Sequence, residues 1–236
     1  MELAMSRVYA LNIADLDESY LCLLKSKVSD QRRNEVETLS NGEKVKQQLV
    51  SESLIRTIVR KELGMSEIGF GKGPYGKPFI IGLPDFYYNL AHSGAWVVCA
   101  IDCAPIGIDI ERVRPVDADL ARLYFSTDEY RSLIVKDEPE RSSLFFDLWT
   151  LKESYVKAKG GGLAIPLDSF TIYPEQDRIA VLSQNGPEEV FFKWYELGLS
   201  YRVSVCAGNG DFPDNITRVG LDDILNPARE SFECLF

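Results

Sequence analysis

Apolar positions recur at helical spacing in some segments and in short, strand-like runs in others. A short strand is predicted from Arg7 to Ile13, followed by helical stretches that break near Ser29 and again at Asn41 and Gly42. From Glu43 to Leu63, Val45, Leu49, Leu54, Ile55, Ile58 and Val59 recur at three-to-four-residue spacing, which predicts one long amphipathic helix stopped by Gly64. Between Gly69 and Gly94 the pattern shortens to apolar runs broken by Gly and Pro, as in GKGPYGKPFI and LPDFYYNLAHSG, and predicts strands joined by tight turns. The runs WVVCAI and IGIDIE, separated only by DCAP, predict a hairpin. Ser126 and Glu129 have the spacing of a capping box at the head of a helix. A longer helix is predicted from Ser142 to Lys159, ending at Gly160, Gly161 and Gly162. Residues 169–173, 188–195 and 201–206 are rich in aromatic and branched side chains and read as strands. Helices, strands, helices and strands in that order predict an α+β protein with antiparallel sheets rather than a doubly wound parallel one.

Composition adds limits to this outline. With 236 residues, 45% of them hydrophobic, the chain can bury a large core as one domain or two small lobes. Its 36 acidic against 26 basic side chains give a net charge of −10, a field that opposes nucleic acid. A phosphorylated ligand must then be met by a few local cations or by a metal ion. The five cysteines (Cys22, Cys99, Cys103, Cys206, Cys234) lack CxxC spacing and suggest neither a disulfide framework nor a zinc site. No apolar run reaches the ~18 residues needed to span a bilayer, and the N-terminal segment lacks a secretory apolar core, so the expected compartment is the cytoplasm.

Candidate chemistry lies in two segments. In IGIDIE, Ile106, Ile108 and Ile110 alternate with Gly107, Asp109 and Glu111, so a strand buries the isoleucines and presents both carboxylates on one face. Two such charges about 7 Å apart repel by roughly 2 kcal/mol at an effective dielectric near 20, and a divalent cation turns that repulsion into attraction. The pair alone is equally consistent with two solvated acids. In WTLKESYVKAKGGG, Glu153 and Lys157 share a helix face four residues apart, a spacing also common in plain surface ion pairs. Three carboxylates and a lysine form a hard-oxygen set suited to magnesium, whereas zinc prefers His or Cys ligands and His92 is the single histidine. Magnesium beside a lysine suits phosphoryl or phosphodiester transfer. The chain has neither a P-loop nor a kinase glycine loop.

The ordered segments YGKPFI (75–80), YNLAHSG (88–94), PIGIDIE (105–111), FFDLWTLKESYVKAKGGGL (145–163) and LDSF (167–170) closely resemble the surfactin-synthetase-activating class of 4′-phosphopantetheinyl transferases, over most of the chain. The resemblance implies two similar lobes related by a pseudo-twofold, 1–104 and 105–236, dividing near Ala104, with the C-terminal tail expected to pack back on the first. It implies transfer of the phosphopantetheinyl arm of coenzyme A, bound between the lobes, to a serine of an acyl or peptidyl carrier protein by a monomeric enzyme. It further implies that Asp109, Glu111 and Glu153 hold Mg2+, or Mn2+, against the pyrophosphate, and that Lys157 contacts the phosphates. Tyr75, Gly76, Lys77 and Pro78 border the adenine and ribose by the same likeness, and His92 reaches the 3′-phosphate. Relatives often carry a serine where this chain has Ala91, and an arginine where it has Gln47 beside Lys46, which leaves the 3′-phosphate to Lys46, Arg32 and His92. Arg112, Arg114, Tyr124 and Phe125 combine positive charge with aromatic area and suit an acidic carrier, a reading that stands level with one in which Tyr124 and Phe125 pack in the core and the arginines are solvated. A magnesium-dependent hydrolase of coenzyme A or nucleotide pyrophosphates and a non-enzymatic coenzyme A-binding scaffold are the alternatives.

Overall fold

The computed structural model describes residues 5–174 and 178–226; Cys234 and the rest of 227–236 lie outside them. The chain opens with β1 (Arg7–Asn12), α1 (Glu18–Lys27), α2 (Asp30–Glu37) and α3 (Gly42–Leu63). The breaks seen in the sequence are helix caps: Ser29 accepts from the Arg32 amide at the head of α2, and Asn41 accepts from the Lys44 amide at the head of α3. There follow β2 (Phe70–Lys72), β3 (Pro78–Ile80), β4 (Tyr87–Ser93), β5 (Trp96–Asp102) and β6 (Ile106–Arg112). Next come α4 (Ala118–Tyr124), α5 (Thr127–Ile134) and α6 (Glu140–Lys159). The chain closes with β7 (Thr171–Pro174), β8 (Ile179–Ser183), β9 (Gly186–Pro187), β10 (Phe191–Glu196), β11 (Tyr201–Ala207), β12 (Thr217–Val219) and α7 (Leu221–Leu225). No described helix is long and apolar enough to cross a membrane.

The expected hairpin of WVVCAI and IGIDIE does not form. Strand β5 has both edges taken, by β1 and by β4, and β6 pairs instead with β11 in another sheet. The intervening turn is held by buried Asp102, which accepts from the Ala104 amide at 2.9 Å and from the Ser6 hydroxyl. The chain therefore crosses from one sheet to the next at this point.

The two main sheets have orders β12-β1-β5-β4 and β10-β11-β6. Strand, helices, long helix and two returning strands recur in both halves: β1 pairs antiparallel with β5 and β5 with β4, as β6 pairs with β11 and β11 with β10. The long helices α3 and α6 even end alike, on Gly64 and Gly160 in the left-handed conformation, each returning its amide to the carbonyl four residues back. Strand β12 adds to the outer edge of β1, in parallel, and α7 joins the core beneath α3.

Alternation in the strands builds the core. Tyr9, Leu11, Val97, Cys99 and Ile101 face α3, while Val8, Ala10, Val98 and Ala100 meet Ile106, Ile108, Ile110, Val203 and Val205 of the second sheet. Helix α6 is buried on nearly every side, because it lies between that sheet, an aromatic cluster under α4 and α5, and the small β7-β8-β9 sheet. Its Lys152 is 0% exposed and pairs with Glu129 at 2.8 Å, while donating to the Leu167 and Phe170 carbonyls at 2.7 and 2.6 Å. Glu129 completes the expected capping box with Ser126 and also accepts from the Ile172 amide at 2.7 Å, so one buried ion pair ties α5, α6 and β7 together.

Candidate active site

Strand β6 sends its isoleucines into the core between the sheets, which leaves Gly107, Asp109 and Glu111 on the face beneath α6. Gly107 sets the distance between strand and helix. A Cβ there would lie 2.0 Å from the Ser154 carbonyl oxygen and 2.4 Å from the Ala158 amide, so α6 rests directly on the strand backbone. The small pair Ser154 and Ser204, with hydroxyls 3.1 Å apart, continues this tight contact.

That approach brings the Lys157 ammonium to 2.6 Å from Asp109 Oδ1 and 3.2 Å from the Ile108 carbonyl. Asp109 is 6% exposed, and its second oxygen, Oδ2, is buried without a partner. Burial raises the Asp109 pKa, with Lys157 opposing. Glu111 is raised by burial and by Asp109, although the Ser93 hydroxyl donates to it at 3.0 Å. Glu153 is raised by burial, then by Asp109, with Lys157 opposing. The three carboxylates thus act on one another across the strand and the helix, an arrangement that a divalent cation relieves. Among the described residues no three His, Cys, Asp or Glu side chains already form a closed ligand group; the lysine sits on Asp109 instead. The unpartnered buried Oδ2, with oxygen donors around it, fits a hard cation.

Beside this cluster a cavity of about 560 Å³ opens between the two halves. Tyr75, Gly76, Lys77, Pro78 and Asn89 form the wall from the first half, and Glu153 and Lys157 contribute from the second. Toward Leu123, Tyr124, Trp149, Leu163 and Ile165 the lining turns apolar. A ligand that combines charged groups with a neutral arm matches such a mixed lining.

The remaining expected residues are dispersed. Lys77 directs its ammonium to the carbonyls of Lys157 (2.6 Å), Ile106 (2.9 Å) and Ala158 (3.3 Å), so its aliphatic stem is what it offers the cavity. Burial pushes its pKa down to about 8. His92 is half-buried, its pKa lowered by burial and then by the nearby Lys157 charge. Ala91 packs in the core between the sheets. Arg32 lines a separate depression, bound to Gln48 and to Glu35 (2.8 Å) and near Glu52 (3.5 Å). Lys46 lines a third and donates to the Leu16 carbonyl, while Gln47 donates to Glu43 (3.2 Å) and the Gly94 carbonyl (3.1 Å).

Of the expected docking residues, Phe125 is a core residue, edge-on to Phe145 at 5.1 Å. Arg112 and Arg114 are exposed, and Tyr124 is partly so, its ring edge-on to Trp149 at 5.2 Å. Its neighbour Leu123, by contrast, is 69% exposed. Sequence reasoning also passed over Ser93 and Asn89. The available signal for Asn89 was a lone amide inside the apolar run of β4, where a buried polar group must find a partner.

A sequence model of the 4′-phosphopantetheinyl transferase superfamily matches residues 105–206, the stretch carrying Asp109, Glu111, Glu153 and Lys157. The chain is 37% identical over 201 residues to 4′-phosphopantetheinyl transferase Sfp of Bacillus subtilis (strain 168), covering 84% of this chain and 90% of that one. It is 35% identical over 227 residues to 4′-phosphopantetheinyl transferase psf-1 of Bacillus pumilus, covering 93% and 97%. With 4′-phosphopantetheinyl transferase gsp of Aneurinibacillus migulanus it shares 35% identity over 215 residues, 90% of each chain.

Proposed function

This chain belongs to the 4′-phosphopantetheinyl transferase superfamily, and from that premise we infer that Asp109, Glu111, Glu153 and Lys157 form the centre at which it transfers the 4′-phosphopantetheine moiety of coenzyme A to a serine of an apo carrier protein. The observation that carries the assignment is the buried, unpartnered Asp109 Oδ2 beside Lys157, at a cavity walled by both halves. Asp109, Glu111 and Glu153 would hold a magnesium ion, which when bound neutralises charge on the pyrophosphate.

The protein's own groups supply the rest. The serine oxygen bonds to the pantetheine-side phosphorus, the bond from that phosphorus to the bridging oxygen breaks, and 3′,5′-ADP leaves. Lys157, fixed between Asp109 and the Ile108 carbonyl, meets the negative charge that builds on the departing phosphate. Glu153, whose carboxyl pKa burial has raised, accepts the serine proton directly or through water. Tyr75, Gly76, Pro78 and the stem of Lys77 flank the nucleotide, with His92 toward the 3′-phosphate; Arg32 and Lys46 join it only by exchanging their present partners. The apolar lining toward Trp149 and Leu163 takes the pantetheine arm. One chain supplies both walls of the cavity, which supports the reading of a monomeric enzyme.

Intact-mass measurement of several apo carriers after incubation with the enzyme, coenzyme A and magnesium tests this directly. One arm added per carrier, abolished by a chelator, is the expected result. Cleavage of coenzyme A without any carrier would instead identify a hydrolase.

A further inference from the structure

We propose that Asn89 and Lys77 are positioning residues for the transfer, replacing a missing strand on the outer edge of β6; the proposal rests on the transferase reading above. In an antiparallel ladder alternate residues turn their N–H and C=O to opposite edges. Strand β6 pairs with β11 on one edge, and among the described residues no strand pairs with the other. Side chains meet that outer edge. Asn89 Oδ1 accepts from the Ile108 amide at 2.9 Å, Lys77 Nζ donates to the Ile106 carbonyl at 2.9 Å, Lys157 Nζ donates to the Ile108 carbonyl at 3.2 Å, and Ser93 Oγ accepts from the Arg112 amide at 3.2 Å.

Three of these four side chains, all but Lys157, come from the other half of the molecule. Asn89 lies on β4, where its own backbone pairs with β5, and Lys77 lies just ahead of β3. Lys77 also donates to the Lys157 and Ala158 carbonyls, at 2.6 and 3.3 Å, so one ammonium ties the strand bearing Asp109 to the last turn of the helix bearing Lys157. Asn89 holds the residue immediately before Asp109. Together they keep the carboxylate and the lysine in register while bringing the facing wall of the cavity to them. The bonded atoms of both residues are occupied by the chain's own backbone, which makes them supports of the reacting groups rather than participants.

The test uses Asn89→Leu and Lys77→Met, the second of which keeps the aliphatic stem in the cavity wall, assayed with coenzyme A and an apo carrier. We expect kcat to fall about 10- to 100-fold while the KM for coenzyme A stays within about threefold. Hydrogen exchange at the Ile108 amide speeds up in Asn89→Leu and stays slow in Asn89→Asp, which keeps an acceptor oxygen. Unchanged kcat per folded molecule overturns the proposal, as does a rise in KM that accounts for the whole loss, or unaltered Ile108 exchange in Asn89→Leu. The exchange measurement needs no substrate, so it separates failure of this inference from failure of the transferase reading. If Asn89→Leu does not fold, Asn89→Ser, too short to reach Ile108, replaces it in every measurement.

Discussion

Strands β1 and β6 open the two halves of the molecule and occupy the same place in the same strand order, yet their outer edges differ. The edge of β1 is closed by β12, backbone against backbone. The edge of β6 is closed by the side chains of Lys77, Asn89, Ser93 and Lys157. A backbone ladder can only stabilise, whereas a side-chain closure leaves charged and polar groups at a cavity wall. The helices above these strands diverge in step. Helix α3 meets its sheet with Leu49, Leu54, Ile55 and Ile58, while α6 comes down on Gly107 and carries Glu153 and Lys157 over Asp109. On the function proposed above, one architecture serves as scaffold in one half and as chemical centre in the other, and the difference is concentrated where, among the described residues, the strand edge has no partner strand.

The comparison is broken most severely by removing what anchors α6. Lys152→Met leaves Glu129 charged and fully buried, and should destabilise the fold by about 3–5 kcal/mol in chemical denaturation. The double change Glu129→Leu with Lys152→Met should recover most of that loss; no recovery would mean that the pair is not what anchors the helix. At the centre itself, Asp109→Ala and Glu153→Gln should keep the fold, judged by circular dichroism, and lower kcat about 100- to 1,000-fold. Near-normal turnover in either would remove that carboxylate from the assignment. Gly107→Ala tests the spacing between strand and helix. Its methyl has no room beneath Ser154 and Ala158, so a loss of about 1–3 kcal/mol in stability, with activity reduced although every charged group remains, is expected. The smallest effect is at the rim. Arg114→Glu should raise the KM for an acidic carrier by an amount worth about 1 kcal/mol or less and leave coenzyme A affinity, measured by calorimetry, unchanged.

Local signals in the sequence carried most of the elements. Asn41 and Gly64 bracket α3, Ser126 and Glu129 open α5, and Gly160 ends α6, because a cap or a left-handed glycine acts within a few residues. The partner of β6 was not legible. The turn Asp102–Pro105 suits a hairpin and a crossover equally, and the choice depends on β1 and β4 already occupying β5. The short strands β8 and β12 carry too few residues to show a period. Within the site, alternation in IGIDIE placed Asp109 and Glu111 on the face that α6 covers. Where Lys77 and Arg32 direct their charges was hidden, since the carbonyls that receive Lys77 lie 29 to 81 residues away and Glu52, near Arg32, lies one helix further along. Phe125 stood open between a docking and a core position because aromatic character alone does not distinguish a core from a rim.

The closure of β1 by β12 also bears on how the molecule is made. Strand β1 is synthesised well ahead of residues 217–219, so its outer edge stays uncovered until they emerge. A nascent chain stalled before that point presents an edge that another copy can seal. Arrival of β12 and protection against association through β1 are therefore a single event.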